Sequence, residues 1–206
     1  MKIQKTAEME TDHYFSKKPR SKPKPRTLRL FISGKQIVFR TSSGIFSPKR
    51  IDKATLLLIE NMRLGDKILD LGCGYGPIGI AAAHLKPGCS VTMVEINERA
   101  AMLARENLSL NHTKNVRVIE SDFFEKVDDR FDTILMNPPM ALGLKRIFLL
   151  IEECREHLAV GGTLQIVARH NKGGARIAAR MQEVFGNVET LAKSGGFRVY
   201  MSVRSK

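Results

Sequence analysis

From Lys67 onward the chain alternates short apolar runs of strand length with amphipathic stretches of helical length. No other feature limits the fold as much. KILDL (67–71), SVTMVEI (90–96), VRVIES (116–121), DTILMN (132–137) and TLQIVAR (163–169) are the strand candidates. Between them, Pro77–Leu85 opens with a proline suited to the first helical turn, and Asn97 is placed to cap a helix through Leu110 with Ala101, Ala104 and Leu108 on one face. Leu144, Ile147, Phe148, Ile151, Cys154 and Leu158 recur at helical spacing, and Gly161-Gly162 is expected to end that helix. A helix over Gly174–Phe185 leads to NVETLAK (187–193) and FRVYMSV (197–203), joined by Ser194-Gly195-Gly196 as a hairpin. Such alternation gives a parallel sheet covered on both faces. Right-handed crossovers then put every strand-to-helix loop on one edge, where ligands bind.

The N-terminal quarter is built differently. Residues 1–50 hold 13 Lys and Arg against 3 Asp and Glu, a net of +10 out of the chain's +13. His13–Arg26 contains six basic residues, three prolines and no acid, which predicts an extended, semi-rigid arm that attracts a polyanion. Nucleic acid is the obvious candidate, and Tyr14 and Phe15 are candidate stacking groups for it. Thr27–Thr41 reads as two β-rich runs around Ser33-Gly34-Lys35, a hairpin. Ser47 and Pro48 read as the N-cap and first position of a helix to about Met62. The expected division is therefore 1–41 as basic arm and hairpin, and 42–206 as the catalytic domain. Apolar runs reach five residues, far short of about 20 for a bilayer span. The start has no apolar core of a secretory signal, and Cys73, Cys89 and Cys154 lack C-x-x-C spacing. These features predict a cytoplasmic protein with neither a disulfide framework nor a metal site.

Four strand ends carry chemistry. Asp70-Leu71-Gly72-Cys73-Gly74-Tyr75-Gly76 follows a strand and precedes a helix, so its glycines let the backbone turn and approach a ligand closely. The spacing is G-x-G-x-G, and a carboxylate at Asp70 would repel a pyrophosphate while suiting a cationic ligand. S-Adenosylmethionine, with its sulfonium and ammonium, fits that requirement. Glu95, 19 residues after Gly76, is placed to accept hydrogen bonds from both ribose hydroxyls of an adenosine. Asp122 is a candidate acceptor for the adenine amino group, and Phe123 a backbone donor or apolar wall. Asn137-Pro138-Pro139-Met140 discriminates between reactions. The Asn137 side-chain oxygen and the Pro138 carbonyl can accept the two hydrogens of an exocyclic amine and turn its lone pair towards a methyl group, without a strong base.

In this order, DLGCGYG, VEINERA, SD and NPPM resemble class I S-adenosylmethionine-dependent methyltransferases, and within them the RNA guanine-N2 (RsmC-like, small methyltransferase domain) group. Further residues that carry the likeness are Gly44-Ile45-Phe46-Ser47, Ile51–Thr55 and the closing KGGARIAARMQEVFGNVETLAKSGGFRVY. The resemblance implies a Rossmann-like seven-stranded, mostly parallel sheet with its last strand antiparallel. It also implies S-adenosylmethionine as cofactor, with Phe46, Asp52 and Thr55 near its methionine end and Ile96 beside Glu95, and an amino nitrogen as acceptor. Met140 stands where the group often has an aromatic residue. Ribosomal or other structured RNA is the expected substrate. Protein glutamine, DNA adenine, and a non-catalytic RNA-binding module are the alternatives.

Overall fold

The computed structural model describes residues 21–206; Tyr14 and Phe15 lie outside them. The elements run β1 (Arg26–Ile32), β2 (Lys35–Thr41), α1 (Lys53–Asn61), β3 (Lys67–Leu71), α2 (Pro77–Leu85), β4 (Ser90–Glu95), α3 (Glu98–Leu110), β5 (Val116–Glu120), β6 (Phe131–Met136), α4 (Leu144–His157), β7 (Leu158–Arg169), α5 (Ala175–Phe185), β8 (Glu189–Ser194) and β9 (Phe197–Val203). Seven strands form one sheet in the order β5-β4-β3-β6-β7-β9-β8. β3, β4, β5, β6 and β7 pair in parallel, and β9 is antiparallel to both of its neighbours. This is a Rossmann-like doubly wound sheet, with strand order reversing between β3 and β6.

Successive strand residues point to opposite faces, and each face has its own apolar layer. Ile68, Met93, Leu135, Val167 and Val199 pack with α1, α2 and α3. Their neighbours Leu69, Val94, Ile134, Ile166 and Tyr200 pack with α4 and α5. Burial on both faces is why these strands read as near-continuous apolar runs.

β1 and β2 form a separate two-stranded antiparallel sheet. Its inner face joins the first apolar layer through Ile37 and Phe39, both 0% exposed. Its outer edge is clamped by α3. Asn111 accepts from the Val38 N–H (2.9 Å) and donates to the Val38 carbonyl (2.7 Å). Asn107 does the same for Arg40, at 2.7 and 3.0 Å. Two side chains one helical turn apart thus satisfy the strand edge as a neighbouring strand would.

Two expected boundaries are corrected. Ser47 does not cap a helix. It adopts φ +47° and donates to the Arg50 carbonyl (2.6 Å), while Asp52 caps α1 by accepting from the Ala54 and Thr55 N–H groups. Gly161-Gly162 does not end α4, which stops at His157; both glycines lie inside β7, beside a register shift against β6. They bond with Arg204 in both directions, and a Cβ on Gly162 would meet the Ala159 carbonyl oxygen at 2.9 Å. Gly162 is required by close backbone approach and Gly161 by its φ of +81°, and neither by a helix stop. No described helix is long and apolar enough to cross a membrane.

Candidate functional site

The loops that follow β3, β4, β5 and β6 converge on the carboxyl edge of the sheet at the reversal of strand order, and a cavity of about 280 Å³ opens there. Gly72, Cys73 and Gly74 form one wall. Gly72 and Gly74 have φ of +77° and +58°, and a Cβ added to either meets no protein atom within 4 Å. The turn therefore needs glycine for its backbone conformation, and the missing side chains leave room for a ligand against the main chain. Gly76 stands behind the wall. It starts α2 at φ +94°, and a Cβ there would meet Ile80 and Met93.

Asp70 does not line the cavity. It is 0% exposed at the end of β3, where its Oδ2 accepts from the Gly79 N–H (2.8 Å) and its Oδ1 has no hydrogen-bond partner. Burial pushes its pKa up to about 7, opposed by the Gly79 N–H and reinforced by Glu95. Glu95, at the end of β4, does line the cavity. Its Oε2 accepts from the Gly74 N–H and its Oε1 from the Asn97 N–H, both at 2.8 Å. Burial raises its pKa, against the pull of these backbone donors. The Ile96 N–H also bonds the carboxylate, and with four lone-pair sites on its two oxygens Glu95 retains acceptor capacity for a ligand hydroxyl. Ile96 lines the cavity next to it.

Asp122 and Phe123 close the wall after β5, and Phe123 is held at φ +46°. Arg146 of α4 lies over the Phe123 ring at 5.4 Å and within 4.0 Å of Asp122. Its pairing with Phe123 and Asp122 makes it part of the cavity wall.

Opposite, Asn137 and Pro139 line the cavity; Pro138 is buried behind them. Asn137 Nδ2 donates to Asp52 Oδ2 (3.2 Å) and to Thr55 Oγ1 (3.0 Å). Both amide hydrogens are thereby used. Among the described residues nothing donates to Asn137 Oδ1 or to the Pro138 carbonyl. Asp52 and Thr55 line the same cavity with Phe46, so the start of α1 and the end of β6 form one corner of the site. Met140 is outside the lining and packs near Gly173, whose added Cβ would lie 2.6 Å from its Cε.

Asn107 was not singled out from the sequence. It is 0% exposed, and besides clamping β2 it donates to the carbonyl of Tyr75 in the glycine loop (2.9 Å). An asparagine on a helix's apolar face is the only sequence signal of this role. Cys73, Cys89 and Cys154 are buried free thiols. Among the described residues no three His, Cys, Asp or Glu side chains cluster as metal ligands.

These walls fit the parts of S-adenosylmethionine: an acid for ribose hydroxyls, glycines leaving space beside the main chain, and a polar corner facing them. Residues 36–201 match the model of the methyltransferase small domain family. A Bacillus subtilis (strain 168) protein described as uncharacterized protein YbxB is 35% identical over 194 residues, covering 92% of this chain and 96% of that one. Ribosomal RNA small subunit methyltransferase C of Hamiltonella defensa subsp. Acyrthosiphon pisum (strain 5AT) is 34% identical over 174 residues, 82% of this chain and 51% of that one. The solved T. thermophilus 16S rRNA N2 methyltransferase (RsmC), in complex with AdoMet and guanosine, superposes with a TM-score of 0.75 at 26% identity, over 87% of this chain and 50% of that one. The chain spans about half the length of the ribosomal RNA methyltransferases it matches.

Proposed function

This chain belongs to the methyltransferase small domain family, and from that premise we propose that it is an S-adenosylmethionine-dependent N-methyltransferase of structured RNA, acting on guanine N2, with cytoplasmic ribosomal RNA as the favoured substrate. The observation that carries the reading is the fixed amide of Asn137. With Nδ2 tied to Asp52 and Thr55, its Oδ1 is the end left for a ligand. The relatives named for ribosomal RNA methylation, and the neighbour solved with guanosine, support the choice of acceptor.

In this reading Glu95 accepts from the ribose hydroxyls, Asp122 from the adenine amino group, and Gly72–Gly74 give the cofactor close passage along the backbone. Phe46, with Asp52 and Thr55, bounds the methionine end. The bound cofactor supplies an electrophilic methyl group on its sulfonium. Asn137 Oδ1 and the Pro138 carbonyl accept the two hydrogens of the target amine. That pairing draws the nitrogen lone pair out of conjugation and aims it, so alignment and preorganised acceptors carry the rate without a strong base. Pro139 rigidifies the loop. Met140, polarisable and partly exposed beside Gly173, packs against the target ring. Residues 1–41 grip the RNA, Tyr14 and Phe15 included, and residues 42–206 carry out the transfer.

The test is Asn137→Ala. S-Adenosylmethionine affinity, read by calorimetry, is retained, while transfer of tritiated methyl to ribosomal RNA falls by about 10²–10³, the loss typical of one preorganised hydrogen-bonding group. Transfer at the parental rate removes the role given to Asn137. Recovery of the label in protein or DNA, or in an RNA nucleoside other than N2-methylguanosine, replaces the acceptor.

A further inference from the structure

The β1–β2 ribbon has an outer face that the cavity does not explain. Along β1 the side chains alternate: Leu28, Leu30 and Ile32 turn to the core, while Thr27, Arg29 and Phe31 turn to solvent. Along β2, Gln36, Val38 and Arg40 share that outer face, with Phe31 opposite Gln36 and Arg29 opposite Val38. Phe31 is 69% exposed, the most exposed large apolar side chain among the described residues. A single exposed phenylalanine is ordinary in itself. Its surroundings are not: residues 21–50 contain eight Lys and Arg and no Asp or Glu. Arg29 stands two residues from Phe31 on the same face; Lys35, at the turn, pairs with the inward-turned Ile32 and starts on the other face. Neither forms an ion pair among the described residues, whereas Arg40 approaches Glu106 at 3.9 Å.

The ribbon is also held still. Asn107 and Asn111 fix its β2 edge, and its inner face is buried, so the outer face is presented on a rigid support. β2 leads directly into the segment that brings Phe46 and Asp52 to the cavity. A chain lying on the ribbon thus lies on the element that continues into the cavity wall.

We infer that the outer face of the β1–β2 ribbon docks unpaired RNA, with Phe31 as a stacking platform for one base and Arg29 as a contact to the neighbouring phosphate. Unpaired bases stack on aromatic rings without regard to sequence, and basic side chains beside them track the backbone. The charge complementarity selects a polyanion, and the exposed ring selects one with accessible base faces over a closed duplex. The inference rests on the reading of the protein as an RNA methyltransferase and gives that reading a second contact surface, remote from the reacting atoms.

The experiment measures binding of the full-length protein to a labelled short oligouridylate by fluorescence anisotropy over a potassium chloride series. Phe31→Ala lowers affinity about tenfold, the scale of one base–aromatic stack, and leaves the salt slope unchanged. Arg29→Gln flattens the slope of log affinity against log salt by about 0.7, the contribution of one phosphate contact on a single strand. Both variants keep parental S-adenosylmethionine affinity, which shows that they fold. Parental oligouridylate binding by both variants overturns the inference. So does a parent that self-associates in sedimentation and becomes monomeric on Phe31→Ala with RNA affinity unchanged, because the face would then be an interface between copies. If the parent methylates no RNA while Phe31→Ala still loses oligouridylate binding, the acceptor reading falls and the docking surface stands. If the parent methylates ribosomal RNA and the ribbon variants do so with unchanged KM, the docking surface falls and the acceptor reading stands.

Discussion

Asp52 performs two tasks with one oxygen. Its Oδ2 accepts from the Ala54 and Thr55 N–H groups and so caps α1, and it also accepts from Asn137, 85 residues away. Asp52→Ala therefore loses a cap, worth about 1 kcal/mol of stability, together with one of the two anchors of the Asn137 amide. The expected result is a fall in kcat larger than the loss of stability explains. Asp52→Asn retains an oxygen acceptor for the cap and restores much of the stability, which urea denaturation and methyl-transfer rates measured together will check. Thr55→Val removes the second anchor and, because Thr55 also bounds the methionine end of the cofactor, should lower kcat by a larger factor than it weakens cofactor binding. At Asp70 the prediction concerns pH. Its carboxyl holds a proton in the fold up to about pH 7 but ionises near 3.9 once unfolded. The unfolded chain therefore binds fewer protons across that window, and Asp70 makes the fold lose stability as pH rises through it. Asp70→Asn, which cannot ionise, should show a smaller drop in urea midpoint between about pH 5 and about pH 7.5 than the parent. That Asp70 precedes the glycine loop was plain in the sequence. That it turns under the loop towards Gly79 was not, because the direction of a strand-end side chain depends on which layer covers it.

Helix α3 is the element that joins the N-terminal module to the cofactor loop. Asn97 caps its first turn through Ala100 and reaches the Gly44 carbonyl at 3.1 Å, Arg99 holds the Ser43 carbonyl at 2.8 Å, and Asn107 and Asn111 pair with β2. The Asn107 amide meets three backbone groups, the N–H and carbonyl of Arg40 and the carbonyl of Tyr75. Asn107→Ala leaves those groups without their partner and should cost about 2–3 kcal/mol, since an unsatisfied buried polar group costs about 1–3 kcal/mol. Asn111→Ala, at the more exposed end of the helix, should cost less. Comparing the two by urea denaturation tests the clamp. Helix and strand placement were legible because apolar spacing and turn residues are local signals, and the Asn97 cap is one of them. The Ser47 and Gly161-Gly162 expectations failed for the same reason. Serine before proline and paired glycines are compatible with a cap or a stop, but also with a left-handed turn and a strand irregularity, and only the neighbouring backbone decides between them.

The whole molecule is electrically lopsided: the first 50 residues carry +10 and the remaining 156 carry +3. With the basic arm as the RNA grip, replacing Lys17, Lys18 and Arg20 by glutamine should weaken binding to ribosomal RNA and flatten its salt dependence, while cofactor affinity stays at the parental value. A salt titration by anisotropy beside calorimetry checks both halves. The amino-acid sequence by itself determined the strand–helix order, the edge on which the glycine loop, Glu95, Asp122 and Asn137 gather, and the separation of charge. Each follows from periodicity, turn chemistry and composition within a few residues, and right-handed crossovers do the rest. Only the tertiary structure decided that Asp52 and Thr55 orient Asn137, that Asn107 ties β2 to the Tyr75 carbonyl, and that Phe31 faces outward beside Arg29. Those contacts join residues 32 to 85 positions apart, or depend on which face of a ribbon is covered. No local pattern encodes them, because they exist only once the two apolar layers have closed and each buried polar group has had to find a partner.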